Sequence, residues 1–458
     1  MQNIPDKIHF IGIGGAGMSG LARVLLDLGF EVRGSDLNAS PVTERLKAAG
    51  ATVFEGHHGY NVTGAGLVVV STAISGDNPE LRIATESGIP VIHRADMLGL
   101  LMGRQKGLAV AGAHGKTTTT AMLALVMERC HQDPTILIGG ELTDVGGNAK
   151  FGRGEYLVAE ADESDRSFLK LCPYLAIVTN IEDDHLDHYG SVDEIIKSFR
   201  YFLQKIPADG AGVLCFDDAN VRTVAPECGG AVITYALDNP EADYVLRDIR
   251  LDPGGSAGEV YFRGQCLGLL ELVVPGRHNL ANALAVVAAC LRLGLKFNEV
   301  APSLKEFRGA GRRYQFHGCE KGVTVVDDYA HHPTEIAATL RAARQVHTGR
   351  VVVVFQPHRY TRTSLLHQRF GPCFKDADLA IINDIYSAGE KPIDGVSAQL
   401  IVDAAREFKG DDIVFLPSAG ETIEYLLDHY QEGDLVLTMG AGDVWKTGLA
   451  LLDRLKEN

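Results

Sequence analysis

Short apolar runs rich in β-branched residues alternate with longer segments of helical periodicity along the chain. The first run, residues 7–13, predicts a strand, and residues 17–29 predict the helix that follows it. Later runs predict strands at residues 67–70, 108–111, 156–161, 175–179, 212–216, 323–326, 351–355, 379–383 and 435–438. Strands that alternate with helices are typical of α/β folds with parallel sheets, and we expect that fold class here.

Two short glycine-rich segments, residues 103–107 and 307–313, interrupt this pattern and have the composition of linkers between domains. Dividing the 458 residues there gives three α/β domains, residues 1–105, 106–310 and 311–458. Three domains also agree with the usual size of about 150 residues each.

Charge and composition exclude several classes of protein. The chain has 43 basic and 59 acidic residues, a net charge of −16, and no basic block, so we expect no nucleic-acid partner. No apolar run approaches the roughly 18 residues of a membrane helix, and the N-terminus lacks a secretory signal, so we expect no membrane association. The 8 cysteines show neither CxxC pairs nor metal-finger spacing, which favours the reducing cytoplasm.

A glycine fingerprint joins the first predicted strand to its helix. It runs from Gly12 through Gly14, Gly15 and Ala16 to Gly17, and Asp36 follows the next strand. Glycines let the backbone approach a pyrophosphate at a helix N-terminus, and the later acid can bind a ribose hydroxyl. The motif indicates a dinucleotide such as NAD, another diphosphate such as a nucleotide-sugar, or a tight turn without a ligand.

A phosphate loop follows the strand at residues 108–111. Glycines precede Lys116 and Thr117, which are suited to the β- and γ-phosphates and to Mg²⁺. The loop departs from the strict motif because Val110 stands where the first glycine should be. The helix over residues 117–130 is apolar almost all round, and we expect it to be buried.

Acidic runs follow two further strands of the middle domain, at residues 160–165 and 180–188. Carboxylates at the carboxyl ends of strands beside a phosphate loop are suited to Mg²⁺, and one imidazole can complete a second site. Solvated acidic turns are the alternative interpretation.

Later segments carry amides, histidines and arginines. Asn279 and Asn282 lie three apart on one helix and could bind an adenine, although an asparagine can also cap a helix. In the last third, His331, Arg359 and Arg362 follow two strands, and the forked cations suit a carboxylate. Taken singly, these segments could equally be surface loops.

Together the segments resemble the Mur ligase family, the ATP-dependent amino-acid ligases of peptidoglycan precursor synthesis. Eight segments follow the family's order: GIGGAGMSG, AHGKTTTT, EADESDRSF, TNIEDDHLDHY, PGRHNLAN, GAGRRY, DDYAHHPTE and FQPHRYTRT. The resemblance implies an N-terminal Rossmann-like domain, a central P-loop ATPase-like domain with a parallel sheet, and a C-terminal Rossmann-like α/β domain. The closest match is to the family's reaction that joins L-alanine to the lactyl carboxylate of UDP-N-acetylmuramate through an acyl phosphate.

The resemblance also implies roles for individual residues. ATP would bind at Gly112, Ala113, His114, Gly115, Lys116, Thr117, Thr118, Asn279, Asn282, Arg312, Arg313 and Asp327. Two Mg²⁺ ions would be held, one by Thr117 and Glu160 and the other by His185. L-Alanine would bind at His331, Arg359 and Arg362, with His331 as a candidate base. The UDP-sugar, rather than NAD, would face Gly14, Gly15, Ala16, Gly17, Asp36, Ser71, His93 and Arg94.

Two departures from the family pattern stand out. Ala113 occupies a position where the family usually has threonine, which removes a hydroxyl from the loop but no N–H donor. Some sibling ligases use a carboxylated lysine near the second metal, and Lys197 and Arg200 lie near the corresponding place. The alternative functions are a ligase that attaches a tripeptide to the same UDP-sugar, a folate-type polyglutamate ligase, and a nucleotide-binding regulator without catalysis.

Overall fold

The structure, a computed structural model, describes residues 4–142 and 147–457. Within those residues the strands form sheets of five, ten and six strands, which follow one another along the chain. The predicted fold class, three α/β domains built on mainly parallel sheets, is confirmed. The predicted domain bounds at residues 105 and 310 stay predictions.

The first sheet is entirely parallel and has the strand order β3-β2-β1-β4-β5. The order reverses between β1 and β4, and ligands of such sheets bind in the crevice at that point. Its elements are β1 Lys7–Ile11, α1 Ala16–Asp27, β2 Glu31–Asp36, α2 Pro41–Ala48, β3 Thr52–Glu55, β4 Leu67–Val70, α3 Pro79–Glu86, β5 Val91–His93 and α4 Arg94–Met102.

The second sheet carries the phosphate loop. It has a parallel centre in the order β12-β11-β10-β6-β9-β7. The elements of this centre are β6 Lys106–Ala111, α5 Lys116–Arg129, β7 Thr135–Leu142, β9 Tyr156–Glu160, β10 Leu175–Val178, α6 Leu186–Tyr189, α7 Val192–Gln204, β11 Ala211–Cys215, α8 Ala219–Val224 and β12 Ala231–Ala236. Residues 118–127 of α5 are all buried, which confirms the prediction for this helix.

The strands that extend this sheet were not predicted. The strand β8 Gly147–Lys150 pairs with β7 in antiparallel fashion. At the other edge lie β13 Tyr244–Asp252, β14 Gly255–Phe262 and β15 Gln265–Leu272. A connection of two residues joins β13 to β14, and another joins β14 to β15. Neighbouring strands with such a short connection are antiparallel. The helices α9 Arg277–Arg292 and α10 Phe297–Lys305 follow.

The third sheet has the order β16-β17-β21-β18-β19-β20, with β16 antiparallel to β17 and the other pairs parallel. Its strands β18 and β19 are apolar along their whole length, and all of their residues are buried, as expected where helices cover both faces of a sheet. The elements are β16 Gln315–Glu320, β17 Val323–Asp328, α11 Pro333–Val346, β18 Val351–Phe355, α12 Tyr360–Phe370, β19 Leu379–Ile382, α13 Gln399–Lys409, β20 Ile413–Phe415, α14 Ala419–His429, β21 Leu435–Met439 and α15 Trp445–Glu457.

The chain forms two compact units. The first comprises Met1–Arg247, Glu259–Leu270 and Ala281–Lys305, and the second Asp248–Gly258, Glu271–Leu280 and Glu306–Asn458. The first unit therefore holds the first sheet and the parallel centre of the second, whereas the third sheet lies in the second unit.

All eight cysteines are free thiols. Over residues 4–142 and 147–457, no helix combines the length and the apolar composition that crossing a bilayer requires.

Candidate active site

The phosphate loop turns sharply between β6 and α5 at two glycines. Gly112 has a φ of 134°, and a Cβ there would lie 2.1 Å from the hydroxyl of Thr179. Gly115 has a φ of 81° and precedes the first residue of α5, where a Cβ would lie 2.7 Å from Oδ1 of Asn282. Both positions need glycine because the backbone is left-handed and the space beside it is filled.

The end of β10 fixes the middle of this loop. Oδ1 of Asn180 accepts the N–H of His114 at 2.8 Å, and its Nδ2 donates to the His114 carbonyl at 3.1 Å. The hydroxyl of Thr179 donates to the same carbonyl at 2.6 Å, and the N–H of Ala113 donates to the Asn180 carbonyl at 3.2 Å. The loop is thus held in one conformation before any ligand contacts it.

Lys116 folds back over the loop that it follows. Its Nζ donates to the carbonyls of Gly112 at 2.6 Å and Ala113 at 3.1 Å, and to Oε1 of Glu163 at 2.8 Å. Although burial opposes the charged form, the carboxylate of Glu163 raises the pKa of Lys116. The ammonium group is therefore positively charged at the mouth of the loop, where a phosphate would need it.

Thr117 and Glu160 form the pair predicted to hold one cation. The Thr117 hydroxyl donates to Oε1 of Glu160 at 2.6 Å, and Oε2 of Glu160 accepts the N–H of Gly139 on β7. A hydroxyl and a carboxylate in contact are the hard oxygen ligands that Mg²⁺ prefers, so these residues fit the ion.

Glu163 connects the loop to the second acidic run. Its side chain is 4% exposed, and its Oε1 lies 3.8 Å from Nε2 of His185. His185 has a φ of 57° at the start of α6, and its Nε2 lies 3.5 Å from Oδ2 of Asp184. The structure thus brings Lys116 and His185 to the same oxygen of one buried carboxylate.

Two neighbouring acids in this site have pKa values shifted in opposite directions. Burial raises the pKa of Glu163 to about 7, although the ammonium of Lys116 opposes the shift. Burial also disfavours ionised Asp162, but the guanidinium of Arg94 and the ammonium of Lys116 outweigh it and hold the pKa of Asp162 at about 2. Asp162 is therefore a fixed negative charge at neutral pH.

The glycine fingerprint of the first domain is held by the end of β2. The carbonyl of Ser35 accepts the N–H of Gly12 at 2.8 Å and that of Ile13 at 2.9 Å. Oδ2 of Asp36 accepts the N–H of Gly14 at 2.8 Å, and a Cβ on Gly14 would collide with this oxygen. Asp36, predicted to contact the ribose, shapes the loop in this structure.

A cavity of about 470 Å³ joins the glycine fingerprint to the phosphate loop. Its lining brings together predicted residues of both sites, namely Gly15, Ala16, Gly17, Ser71, Arg94, Lys116 and Glu160. Asp162 also lines the cavity, and its Oδ2 lies 2.7 Å from Nη2 of Arg94. This ion pair links the first domain to the segment that follows β9. The UDP-sugar and ATP residues predicted from separate motifs therefore face one space.

His93 ends β5 and directly precedes Arg94 at the start of α4. Nδ1 of His93 accepts the N–H of Ala95 at 3.3 Å, and Oδ2 of Asp96 accepts the His93 N–H at 3.0 Å, which together cap α4. Nδ1 of His93 is thus used at the start of the helix, whereas its Nε2 lies 4.0 Å from Oδ2 of Asp165.

Asn279 and Asn282 both lie on α9 but differ in their contacts. Nδ2 of Asn279 donates to the carbonyl of Pro275 at 2.7 Å, so its amide is used in the first turn of the helix. Asn282 is 7% exposed and packs beside Gly115 in the first unit. The structure thus brings Asn282 to the phosphate loop.

In the second unit, Arg312 forms an ion pair with the buried Asp327. Asp327 is fully buried and accepts hydrogen bonds from Nε of Arg312 at 2.9 Å and from the hydroxyl of Thr438 at 2.8 Å. Arg312 also donates to the carbonyls of Gly440 at 2.7 Å and Gly442 at 3.2 Å. Asp327 thus orients Arg312 against the glycine turn after β21.

The residues predicted to bind an amino acid follow β17 and β18. The rings of His331 and His358 are 5.7 Å apart, and Nδ1 of His358 lies 3.1 Å from Nη1 of Arg362. Arg359 begins α12 with a φ of 71°, a strained value for a residue with a side chain. Strain of this kind is common where a side chain must point at a ligand.

Models of three known domains match consecutive parts of the chain. These are the Mur ligase family catalytic domain at residues 7–106, the Mur ligase middle domain at 110–290 and the Mur ligase glutamate ligase domain at 312–442. The UDP-N-acetylmuramate–L-alanine ligase of Pelotomaculum thermopropionicum is 59% identical over 98% of this chain and 98% of its own length. The chain belongs to the Mur ligase family.

Solved structures of other Mur ligases have the same fold. A UDP-N-acetylmuramate–alanine ligase from Thermotoga maritima is 30% identical, with a TM-score of 0.84 over 98% of this chain and 99% of that one. A murein peptide ligase from Psychrobacter arcticus is 25% identical, with a TM-score of 0.74 over 98% of this chain and 99% of that one. The resemblance expected from the eight motifs is confirmed.

Some residues of this Mur ligase site were not predicted as site residues. Glu163 and Asn180 stand inside the segments that indicate the family, but no pattern in the sequence predicts a role for either. Gly139 was missed because β7 was not predicted, although it donates to Glu160 and lines the cavity. Only the acidic run around Glu163 carried a signal that could have identified it.

Proposed function

We propose that this chain joins L-alanine to the lactyl carboxylate of UDP-N-acetylmuramate, with ATP as the source of energy. The observation that carries this proposal is the cavity that Gly15, Ser71 and Arg94 share with Lys116 and Glu160. An acid attached to a UDP-sugar at the glycine fingerprint can reach a phosphate at the loop without leaving that space.

The UDP diphosphate would bind at Gly15, Ala16 and Gly17, where α1 begins. The first N–H groups of a helix are free to donate, and the helix dipole favours an anion at this end. Arg94, whose Nη1 would lie 3.3 Å from a Cβ on Gly17, adds a cation beside the same loop. The positive charge of Arg94 and of the helix N-terminus thus compensates locally for the repulsion that the net charge of −16 exerts on an anionic ligand.

The phosphates of ATP would bind at the loop from Gly112 to Thr118, with Lys116 at the transferred group. We propose two Mg²⁺ ions, one held by Thr117 and Glu160 and one by His185. When bound, the ions neutralise charge on the phosphoryl group as two anions approach each other. Lys116 contributes the same kind of stabilisation from the protein side.

In the first step, an oxygen of the lactyl carboxylate attacks the γ-phosphorus and the bond to the β-phosphate oxygen breaks. The products are an acyl phosphate and ADP. In the second step, the neutral amine of L-alanine attacks the acyl carbon, the C–N bond forms and inorganic phosphate leaves.

The alanine amine must lose a proton, and His331 is the proposed base. Its Nδ1 lies 3.0 Å from the carbonyl of Tyr329, so a neutral ring donates from Nδ1 and has its basic lone pair on Nε2. Arg359 and Arg362 are proposed to bind the alanine carboxylate, and Arg312, oriented by Asp327, to contact ATP together with Arg313.

The substrates also suggest where the protein acts. ATP and UDP-sugars are cytoplasmic metabolites, and we place the reaction in the cytoplasm. We propose no nucleic-acid or membrane partner.

The proposal is tested by measuring phosphate release with UDP-N-acetylmuramate, ATP and MgCl₂. Release is expected to require L-alanine, and the product is identified by its mass. Release with the tripeptide L-alanyl-γ-D-glutamyl-meso-diaminopimelate in place of L-alanine would contradict the proposed substrate. Equal release without any acid substrate would contradict ligation altogether.

Replacing Lys116 tests the role of the loop. Lys116→Ala is expected to abolish ADP formation, because the transferred phosphoryl group loses its cation, while the affinity for the UDP-sugar stays near that of the wild type. Calorimetric titration and ADP release measure the two effects. Lys106→Ala, which breaks an exposed ion pair with Glu155, serves as the control. Normal turnover by Lys116→Ala would refute the assignment.

A further inference from the structure

Glu163 is a buried carboxylate to which the proposed mechanism gives no task. Its main chain is fixed, since the carbonyl accepts the N–H of Arg166 at 3.0 Å and the hydroxyl of Tyr189 at 2.6 Å. Its side chain is 4% exposed, and its Oε1 lies near both Lys116 and His185. The position therefore reflects the rigid turn after β9 rather than a mobile surface side chain.

The two oxygens of this carboxylate differ in their contacts with the residues that the structure describes. Oε1 accepts the ammonium of Lys116 at 2.8 Å, but Oε2 is buried without a hydrogen bond to any described residue. Leaving a charged oxygen buried and unpaired costs free energy, and native sites keep such groups where a ligand will satisfy them. A carboxylate oxygen accepts only hydrogen bonds or cations, so the missing partner is a donor or a cation.

The surroundings favour a cation. Nε2 of His185 lies 3.8 Å from Oε1 of Glu163 and 3.5 Å from Oδ2 of Asp184, so one imidazole has a carboxylate oxygen of each acid within 4 Å. Carboxylate oxygens with one imidazole form a donor set suited to Mg²⁺ or Mn²⁺.

We propose that Glu163 is a ligand of the divalent cation assigned to His185, and that it exchanges Lys116 for this cation when nucleotide binds. The inference rests on the proposed function. In the structure Glu163 neutralises Lys116, which also donates to the loop carbonyls. When a triphosphate arrives, Lys116 turns to the phosphate and the freed carboxylate binds the cation that accompanies it. Each charge is thus paired both before and after binding.

The test measures Mn²⁺ binding by electron paramagnetic resonance of the free ion, with a non-hydrolysable ATP analogue present. The full-length wild type is compared with Glu163→Gln, which keeps the shape but removes the charge. We expect the Kd of the weaker Mn²⁺ site to rise about tenfold or more, as losses of groups around a metal usually do. Without Mn²⁺, the variant is expected to bind the analogue at least as tightly, because Lys116 is no longer held back.

Two further variants separate the cation from the ion pair. Glu163→Asp keeps the charge but shortens the side chain, and we expect an intermediate Kd for Mn²⁺. Glu155→Gln breaks another Lys–Glu pair, of 2.7 Å and exposed, and is expected to leave Mn²⁺ binding unchanged. Circular dichroism melting curves identify any variant that fails to fold, in which case Glu163→Asp carries the test.

The outcomes distinguish this inference from the proposed function. Wild-type Mn²⁺ affinity in both Glu163→Gln and Glu163→Asp would overturn the inference and leave Glu163 as a partner of Lys116 only. A wild type that binds the analogue but no Mn²⁺ would instead contradict the two-ion part of the proposed function.

Discussion

Single buried charges in this protein are held by specific donors, and Asp328 at the end of β17 shows this most clearly. It is 6% exposed, and its two oxygens accept the N–H groups of Ala330 and Tyr314, each at 2.8 Å. Burial raises the pKa of Asp328 to about 6, although the guanidinium of Arg313 opposes the shift. The carboxyl group therefore takes up a proton in the folded protein at a higher pH than in the unfolded chain.

This shift makes stability depend on pH. Between pH 3.8, the usual pKa of the group, and pH 6, the folded state binds more protons than the unfolded one. The contribution of Asp328 to the free energy of unfolding is fully present below pH 3.8 and is lost as the pH rises through 6. The loss amounts to about 3 kcal/mol at most. The variant Asp328→Asn should not show this loss. Its free energy of unfolding should therefore increase relative to that of the wild type between pH 4 and pH 7.

Urea unfolding of the two proteins across this range, followed by fluorescence, measures the difference. Asp411→Asn, which changes an exposed aspartate of the same domain, is the control and should show no such gain. A constant difference between Asp328→Asn and the wild type at all pH values would contradict the prediction.

At the scale of single residues, the sequence predicts the chemical role of a side chain better than it predicts the contacts of that side chain. Lys116, Thr117 and Glu160 could be chosen because their motif has a known chemical use. Glu80 could not, yet it is fully buried and accepts hydrogen bonds from His9 at 2.9 Å and Ser35 at 2.6 Å. These partners come from distant strands, and no local pattern reveals that a helix will bring an acid to them.

At the scale of elements, the phosphate loop depends on a strand that follows it much later in the chain. The end of β10 provides Asn180, whose side chain both accepts from and donates to the backbone of His114. Two parallel strands side by side thus place an amide where the loop needs it.

Asn180→Ala should weaken nucleotide binding. The N–H of His114 loses its acceptor, and an unsatisfied or loosened loop costs about 1–3 kcal/mol. We expect the Kd for ATP to rise about tenfold, measured by calorimetric titration. Asn220→Ala is the matched control, because Asn220 donates at 2.8 Å to the nearby carbonyl of Ile181 but does not bind the loop. An equal effect of both variants would show that Asn180 acts only through general stability.

The sequence predicts strands most readily where both faces of the strand are buried. The strands β6, β10 and β18 are continuous apolar runs because both faces of a parallel sheet are covered, and the sequence predicts all three. The strands β13 and β14 mix polar and apolar residues, and only the first three residues of β13 are buried. They carry no apolar run, and the prediction missed them.

At the scale of the whole molecule, the first two domains are joined within one compact unit. Gly20 on α1 faces the hairpin of β7 and β8, and a Cβ there would lie 3.2 Å from Leu137 and 3.3 Å from Ala149. Nδ2 of Asn148 donates to the carbonyl of Ala16 at 2.9 Å. This contact holds the glycine fingerprint beside the phosphate loop.

A larger residue at Gly20 should separate these two parts. Gly20→Val adds methyl groups to a filled contact, at a cost of about 1–3 kcal/mol. We expect a lower melting midpoint by scanning calorimetry and slower ligation, with ATP affinity unchanged because the phosphate loop itself is intact. Gly76→Val, at a glycine without a neighbour within 4 Å, should have neither effect. Unchanged ligation by Gly20→Val would show that this contact does not align the two sites.

The backbone passes repeatedly between the two compact units, since Asp248–Gly258 and Glu271–Leu280 belong to the same unit as the last third of the chain. No single cut therefore yields two intact halves. A shortened protein that stops at residue 305 would retain two segments whose packing partners had been removed, and would expose apolar surface to aggregation. Separate expression of the two units would require rejoining the chain at new ends rather than truncating it.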